Sequence, residues 1–215
     1  ISGTVAVDEI GNVNGTYISN PALNQPGFLT MVGDTNQSVL FDSPGAEMSA
    51  INPVLDISSD LSIEFIFKRF PFTTGLKVWV GKRPPGVNAG LNYWVDIANN
   101  KLRFLQNNAT LITSTIDMQV VTIYHIVCTR RFISAGVYTL KIYINGVLNV
   151  QGNVASIAAT TTQLDIGGPE SLTPESIMDL SKTALKFLVC TKNDIRGIWH
   201  VSRYGHILVH PAPSR

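Results

Sequence analysis

Between Val121 and Gln151 apolar and polar residues alternate with a period of two, the spacing that sends successive side chains to opposite faces of a strand. Leu140 and Ile142 alternate with Thr139, Lys141 and Tyr143. Beyond Asn145-Gly146, Leu148 and Val150 alternate with Asn149 and Gln151. The pattern predicts a hairpin. A two-residue type I′ turn at Asn145-Gly146 would oppose Ile142 to Asn149 and Leu140 to Gln151, setting polar partners against core residues. A three-residue loop, Ile144-Asn145-Gly146 with Gly146 in the left-handed region, avoids that conflict. Ile142 then faces Leu148, Leu140 faces Val150, and all four are expected to be buried together. The preceding strand, Tyr124 to Thr129, is apolar in both phases, which predicts a central strand covered on both faces.

The alternation recurs along the chain. Leu61, Ile63, Phe65 and Phe67 alternate with Ser62, Glu64, Ile66 and Lys68; Leu76, Val78 and Val80 form another such face; Tyr93, Val95 and Ile97 alternate with Asn92, Trp94 and Asp96. Shorter strands are predicted at Ser38 to Phe41, Lys101 to Leu105 and Thr110 to Thr115. Pro44-Gly45, Arg83-Pro84-Pro85-Gly86 and Asn99-Asn100 punctuate them. About a dozen strands at this spacing predict an all-β sandwich of two packed antiparallel sheets. Residues 1–35, rich in Gly, Asn and Pro, read as an N-terminal strand and a long wrapping loop. One helix is expected, Lys192 to Val201, with Thr191 as N-cap and Asp194 as its capping-box partner. It would lie on one edge of the sandwich, before a closing strand at His206 to His210.

Several of these pieces resemble a known family. Tyr124-His125 on one strand, followed by YINGVL at 143–148, resembles the "W/Y-H … Y-V-N-G" core of laminin-G-like jelly rolls of the concanavalin-A-like lectin and glucanase superfamily. SVLFD at 38–42 and LSIEFIFK at 61–68 are similar to its early strands, LDIGG at 164–168 to its late Ile-Gly-Gly strand, and MDLSKTALKF at 178–187 with TKNDI at 191–195 to its final strand and short helix. The resemblance spans nearly the whole chain. It implies a concanavalin-A-like jelly roll and says little about activity, because that fold hosts many functions.

Composition narrows the function classes. The 215 residues suit one large sandwich, a single domain over 1–215, and nothing divides them. Apolar residues make up 45% and charged residues only 14%, so Asn, Thr, Ser and Gln must make the surface polar, as in extracellular and virion jelly rolls. The net charge of +1 offers no footprint for nucleic acid or an anionic membrane, and no run of about 18 apolar residues suggests membrane insertion. No Lys or Arg precedes Lys68, whereas eight acidic residues do, from Asp8 to Glu64. In a jelly roll the first strands pair with the last, so the two halves are expected to neutralise each other. A start at Ile1 suggests a processed N-terminus or an excerpt of a longer chain. Cys128 and Cys190 provide no metal framework and are expected to be reduced.

Candidate chemistry is sparse. Retaining glycosidases of this fold place an acid and a nucleophile about 5–5.5 Å apart, which two acidic residues at alternate strand positions supply. No such spacing occurs: Glu64 is alone on its strand, and Asp8-Glu9 are adjacent and so point to opposite faces. Catalysis is therefore not expected. His200, His206 and His210 match no compact zinc spacing. Asp34, Asp42 and Asp96 are the oxygen donors that Ca²⁺ takes at sandwich rims in relatives of this fold, but their spacing is not diagnostic, so calcium stays open as the one cofactor. Asn14, Asn36 and Asn108 begin glycosylation sequons, which matter only in a eukaryotic secretory pathway.

The strongest ligand signal is aromatic. Trp79 and Trp94 fall on the non-core phase of their strands, with Asn92, Tyr93 and Asp96 nearby, a mix that suits a sugar stacked on a ring with amides and a carboxylate on its hydroxyls. This favours a non-enzymatic recognition module on a virion or cell surface, binding glycan or another surface receptor. The alternative is a structural or decoration protein of a virus or phage particle, its partners being neighbouring capsid or tail subunits or further copies of itself. Recognition expects both indole rings to be partly exposed in a shallow groove; the structural role expects them buried.

Overall fold

The structure, a computed structural model, describes residues 4–6, 13–26, 37–41, 46–53, 60–68, 77–83, 93–106, 109–155, 162–167 and 185–191. They hold fifteen strands: β1 (Val5–Ala6), β2 (Gly15–Ile18), β3 (Ala22–Pro26), β4 (Gln37–Leu40), β5 (Glu47–Ala50), β6 (Leu61–Lys68), β7 (Lys77–Arg83), β8 (Tyr93–Ala98), β9 (Lys101–Gln106), β10 (Ala109–Asp117), β11 (Ile123–Ser134), β12 (Val137–Ile144), β13 (Val147–Ala155), β14 (Gln163–Gly167) and β15 (Leu185–Thr191). An eight-stranded sheet has the order β1-β2-β5-β14-β7-β8-β9-β10, a five-stranded sheet the order β13-β12-β11-β6-β15, and β3 pairs with β4. The fold is the all-β antiparallel sandwich that the alternation predicts. The expected helix and closing strand lie outside the described residues, apart from Thr191, which ends β15. No helix of the described residues is long and apolar enough to cross a membrane.

Period-two patterning decides which face each strand buries. In β6, Leu61, Ile63, Phe65 and Phe67 are buried while Ser62, Glu64, Ile66 and Lys68 are half-buried. Tyr124, Ile126 and Cys128 of β11 and Leu140, Ile142 and Ile144 of β12 join them. From the facing sheet come Val80, Tyr93, Val95, Ile97, Leu102 and Phe104. Cys128 is a free thiol, and its burial pushes its pKa up. Early strands do meet late ones, β5 against β14 and β6 against β15. The described part of residues 1–35 is more regular than expected, since β2 extends the eight-stranded sheet and β3 forms its own ribbon with β4.

The resemblance-bearing residues meet in space. Tyr124 and His125 are adjacent and so point to opposite faces: Tyr124 stacks on Phe67 with centroids 5.5 Å apart, and its hydroxyl accepts the Gln119 N–H at 2.7 Å. Along the edge of β11 that faces β12, the His125 N–H donates to Asn145 Oδ1 at 2.9 Å, and the Asn145 N–H donates to the His125 carbonyl at 2.8 Å. The hairpin turn is thus pinned to the neighbouring strand.

That hairpin corrects the expected register. Ile144 pairs with Val147, and Asn145 and Gly146 both have positive φ, 52° and 81°: this is the two-residue type I′ turn, not a three-residue loop. The polar-against-apolar conflict is relieved one step later, where the register shifts between Ile142 and Tyr143, so that Ile142 faces Val150 and Asn149 is the extra residue of a bulge. Leu148 consequently stands 44% exposed instead of joining Leu140 and Ile142 in the core. Strand β11 is central, as predicted, but only its inner face is sealed; His125, Val127 and Thr129 on the outer face are half-buried.

Candidate functional site

The aromatic candidates come first. Tyr93 belongs to the core face of β8 and is buried. Trp94 projects from the opposite face, as its phase predicts, yet it is only 2% exposed, between Leu105 on β9 and Gly81 on β7. The partial exposure that recognition required of this ring is therefore not found; Nε1 of Trp94 has no acceptor among the described residues. Asp96, on the same face, is fully buried and held by Arg103, whose Nε and Nη2 donate to its two oxygens at 2.7 and 2.6 Å. Burial pushes the Asp96 carboxyl above its usual value and the guanidinium pulls it part of the way back. A carboxylate so occupied is available neither to a sugar nor to calcium.

Trp79 lies on β7 where the register against β8 shifts between Val78 and Val80; its side chain, like Asn92, lies outside the description. Asp34, Asp42 and the three C-terminal histidines do too. Among the described residues no group of three or more His, Cys, Asp or Glu side chains could hold a metal ion.

What the described surface does offer is a groove of about 660 Å³ on the outer face of the five-stranded sheet. Alternation puts the lining there. Inner-face positions of β6, β11 and β12 fill the core, so their neighbours in sequence must face outward. Ser62 comes from β6, Thr129 and Arg131 from β11, and Thr139, Lys141 and Tyr143 from β12. Register sets them side by side: Thr129 pairs with Ser62 on one side and with Lys141 on the other, and Arg131 pairs with Thr139. Sequence reasoning missed them because each is an ordinary polar residue in the solvent phase of its strand; the adjacency belongs to the pairing.

One end of the groove is built by the β11–β12 hairpin. Phe132 and Ile133 stand 49% and 53% exposed there, and Phe132 meets Tyr138 edge-on with centroids 5.6 Å apart. Arg130 is buried beneath, its guanidinium 5.5 Å from the Tyr138 ring centre, and burial lowers its pKa. Asp60 caps this end by accepting the Phe132 N–H at 2.7 Å. Farther along the same face, His125 Nε2 donates to Glu64 Oε1 at 2.6 Å, which raises the histidine pKa above 6.5. Asp60 and Glu64 are four residues apart, about 13 Å along an extended chain, beyond any spacing that glycoside hydrolysis uses.

No family model and no curated protein sequence matches the chain. Solved structures do. The chain is similar to Trypanosoma rangeli sialidase in complex with 2,3-difluorosialic acid, at a TM-score of 0.62 and 15% identity over 88% of this chain and 28% of that one. It is also similar to the receptor-binding domain of botulinum neurotoxin mosaic serotype C/D, at 0.63 and 13% over 89% and 48%, and to that of botulinum neurotoxin type G, at 0.54 and 13% over 82% and 44%. The chain thus spans between a quarter and a half of each neighbour. At these identities the likeness shows the fold alone, a β sandwich of jelly-roll kind, and nothing in it positively indicates an enzyme.

Proposed function

We propose that this chain is a non-enzymatic recognition module whose ligand site is the groove on the outer face of the five-stranded sheet, with a surface glycan or glycosylated receptor as its ligand. The observation that carries this reading is the lining itself. Hydroxyls from Ser62, Thr129 and Thr139, two cationic side chains and the Tyr143 ring come together from three adjacent strands. Hydroxyl and charged groups suit the hydroxyls of a sugar, and an aromatic ring suits its C–H face. Rigid strands hold the backbone of these groups in place, so binding costs only the ordering of their side chains. The neurotoxin neighbours are receptor-binding domains by name, which supports a binding role at a coarse level.

A laminin-G-like affiliation is part of the reading, supported by the pinning of Asn145 to His125, the two positions that carry the resemblance. Display on a virion or cell surface is a further part, supported by the 14% charged, Asn- and Thr-rich composition. The structural-particle alternative keeps one supporting observation, the burial of Trp94. A glycan array run with the wild-type chain and with Tyr143→Ala tests the reading. Reproducible binding that Tyr143→Ala reduces at least tenfold supports it; an array without signal, from a sample that sedimentation shows to be a regular oligomer, supports the alternative.

A further inference from the structure

Three cationic residues and one acidic residue line the groove, in a chain whose totals of 16 Lys and Arg and 15 Asp and Glu nearly balance. The one carboxylate, Asp60, already accepts the Phe132 backbone N–H, and Arg130 is buried against Tyr138. Arg131 and Lys141 are different. Both point outward, and neither has a carboxylate within ion-pair distance among the described residues.

Their placement follows from register. Arg131 pairs with Thr139, and Lys141 is two positions beyond it on the same strand, so the two cations are diagonal neighbours on one face. Such neighbours have Cα atoms about 7–8 Å apart, close enough for a guanidinium and an ammonium to hold one anionic group between them. Tyr143 stands a further two residues along, about 7 Å on the same face. Hydroxyls alone would serve a neutral sugar. Two like charges side by side repel each other in the empty groove, and an anion relieves that repulsion.

We propose that the groove selects an acidic oligosaccharide, its carboxylate or sulfate held between Arg131 and Lys141 and an adjoining sugar ring set against Tyr143. This rests on the groove being the glycan site. Phe132 and Ile133 supply an apolar wall at the end where the charged group enters. The inference adds to the recognition reading a chemical class of ligand and the two residues that choose it.

The test titrates the 215-residue chain with matched probes: lactose, sialylated lactose and sulfated lactose, each at 50 mM and 500 mM NaCl. The expected result is at least tenfold tighter binding of an acidic probe than of lactose, weakened severalfold by the higher salt. Lys141→Glu and Arg131→Ala should each remove that preference while the melting temperature stays that of wild type. Sialylated and sulfated arms distinguish a carboxylate from a sulfate ester, and preference for either supports the proposal. Equal binding of neutral and acidic probes, or a preference that survives Lys141→Glu, overturns it and leaves the recognition reading standing. Absence of binding to all three probes and to a broad glycan array overturns both.

Discussion

Asn149 and Thr115 tie the two sheets together. The Thr115 N–H donates to Asn149 Oδ1 at 2.8 Å, and the Asn149 amide donates to Thr115 Oγ1 at 3.0 Å, a two-bond bridge from β13 to β10. Asn149 can reach across because it is the bulged residue of its strand; paired regularly, it would face Ile142. Three residues on, Gly152 lets the same edges approach, since a Cβ there would come within 2.8 Å of Ile112 Cγ2. Asn149→Ala removes both bonds at a partly exposed site and should cost about 1–2 kcal/mol in urea denaturation. An unchanged midpoint would show that the bridge adds nothing to the closed edge.

Trp94 is a core residue of a second kind, buried on the face of the eight-stranded sheet that looks away from the main core. Trp94→Ala should therefore lower stability by about 3–5 kcal/mol, as truncation of a buried aromatic does, and leave glycan binding at the temperature of the folded state unchanged. Thermal denaturation together with the glycan array checks both halves. Loss of binding at unchanged melting temperature would return the ligand site to this face.

The His125–Glu64 pair gives stability a pH dependence of known sign. Its hydrogen bond raises the histidine pKa above 6.5 in the folded chain. The contribution is complete below the unfolded value near 6.5 and is lost as pH rises through the higher folded value. Wild type should thus exceed Glu64→Gln in melting temperature at pH 5.5 by more than at pH 8.5. Both side chains are 38% exposed, so solvent screening keeps the difference small, and high salt should shrink it further. A difference that grows toward pH 8.5 would contradict the assignment.

Phase along the strands carried most of the fold. It placed Leu61 through Phe67, Leu140 and Ile142 in the core, because alternation and burial are set by the same backbone geometry. Two things were beyond it. A bulge changes register without changing composition, so the turn at Asn145-Gly146 was misassigned although its type I′ sequence signal was present. Phase also tells which side of a sheet a ring leaves from, not whether that side is covered; Trp94 and Asp96 left from the expected side and are buried all the same. The groove was illegible for a related reason. Ser62, Thr129 and Lys141 lie on strands brought together by β6–β11 and β11–β12 pairing, across 79 positions of sequence from first to last.

Chemical-shift mapping by NMR puts the groove to the most direct test. With the backbone amides assigned, the best ligand from the glycan array is titrated into the labelled chain. The largest shifts should fall on Ser62, Thr129, Arg131, Thr139, Lys141 and Tyr143, and amides around Trp94 and Asp96 should stay in place. Shifts concentrated on β7, β8 and β9, with the outer face of the five-stranded sheet silent, would contradict the assignment of the site.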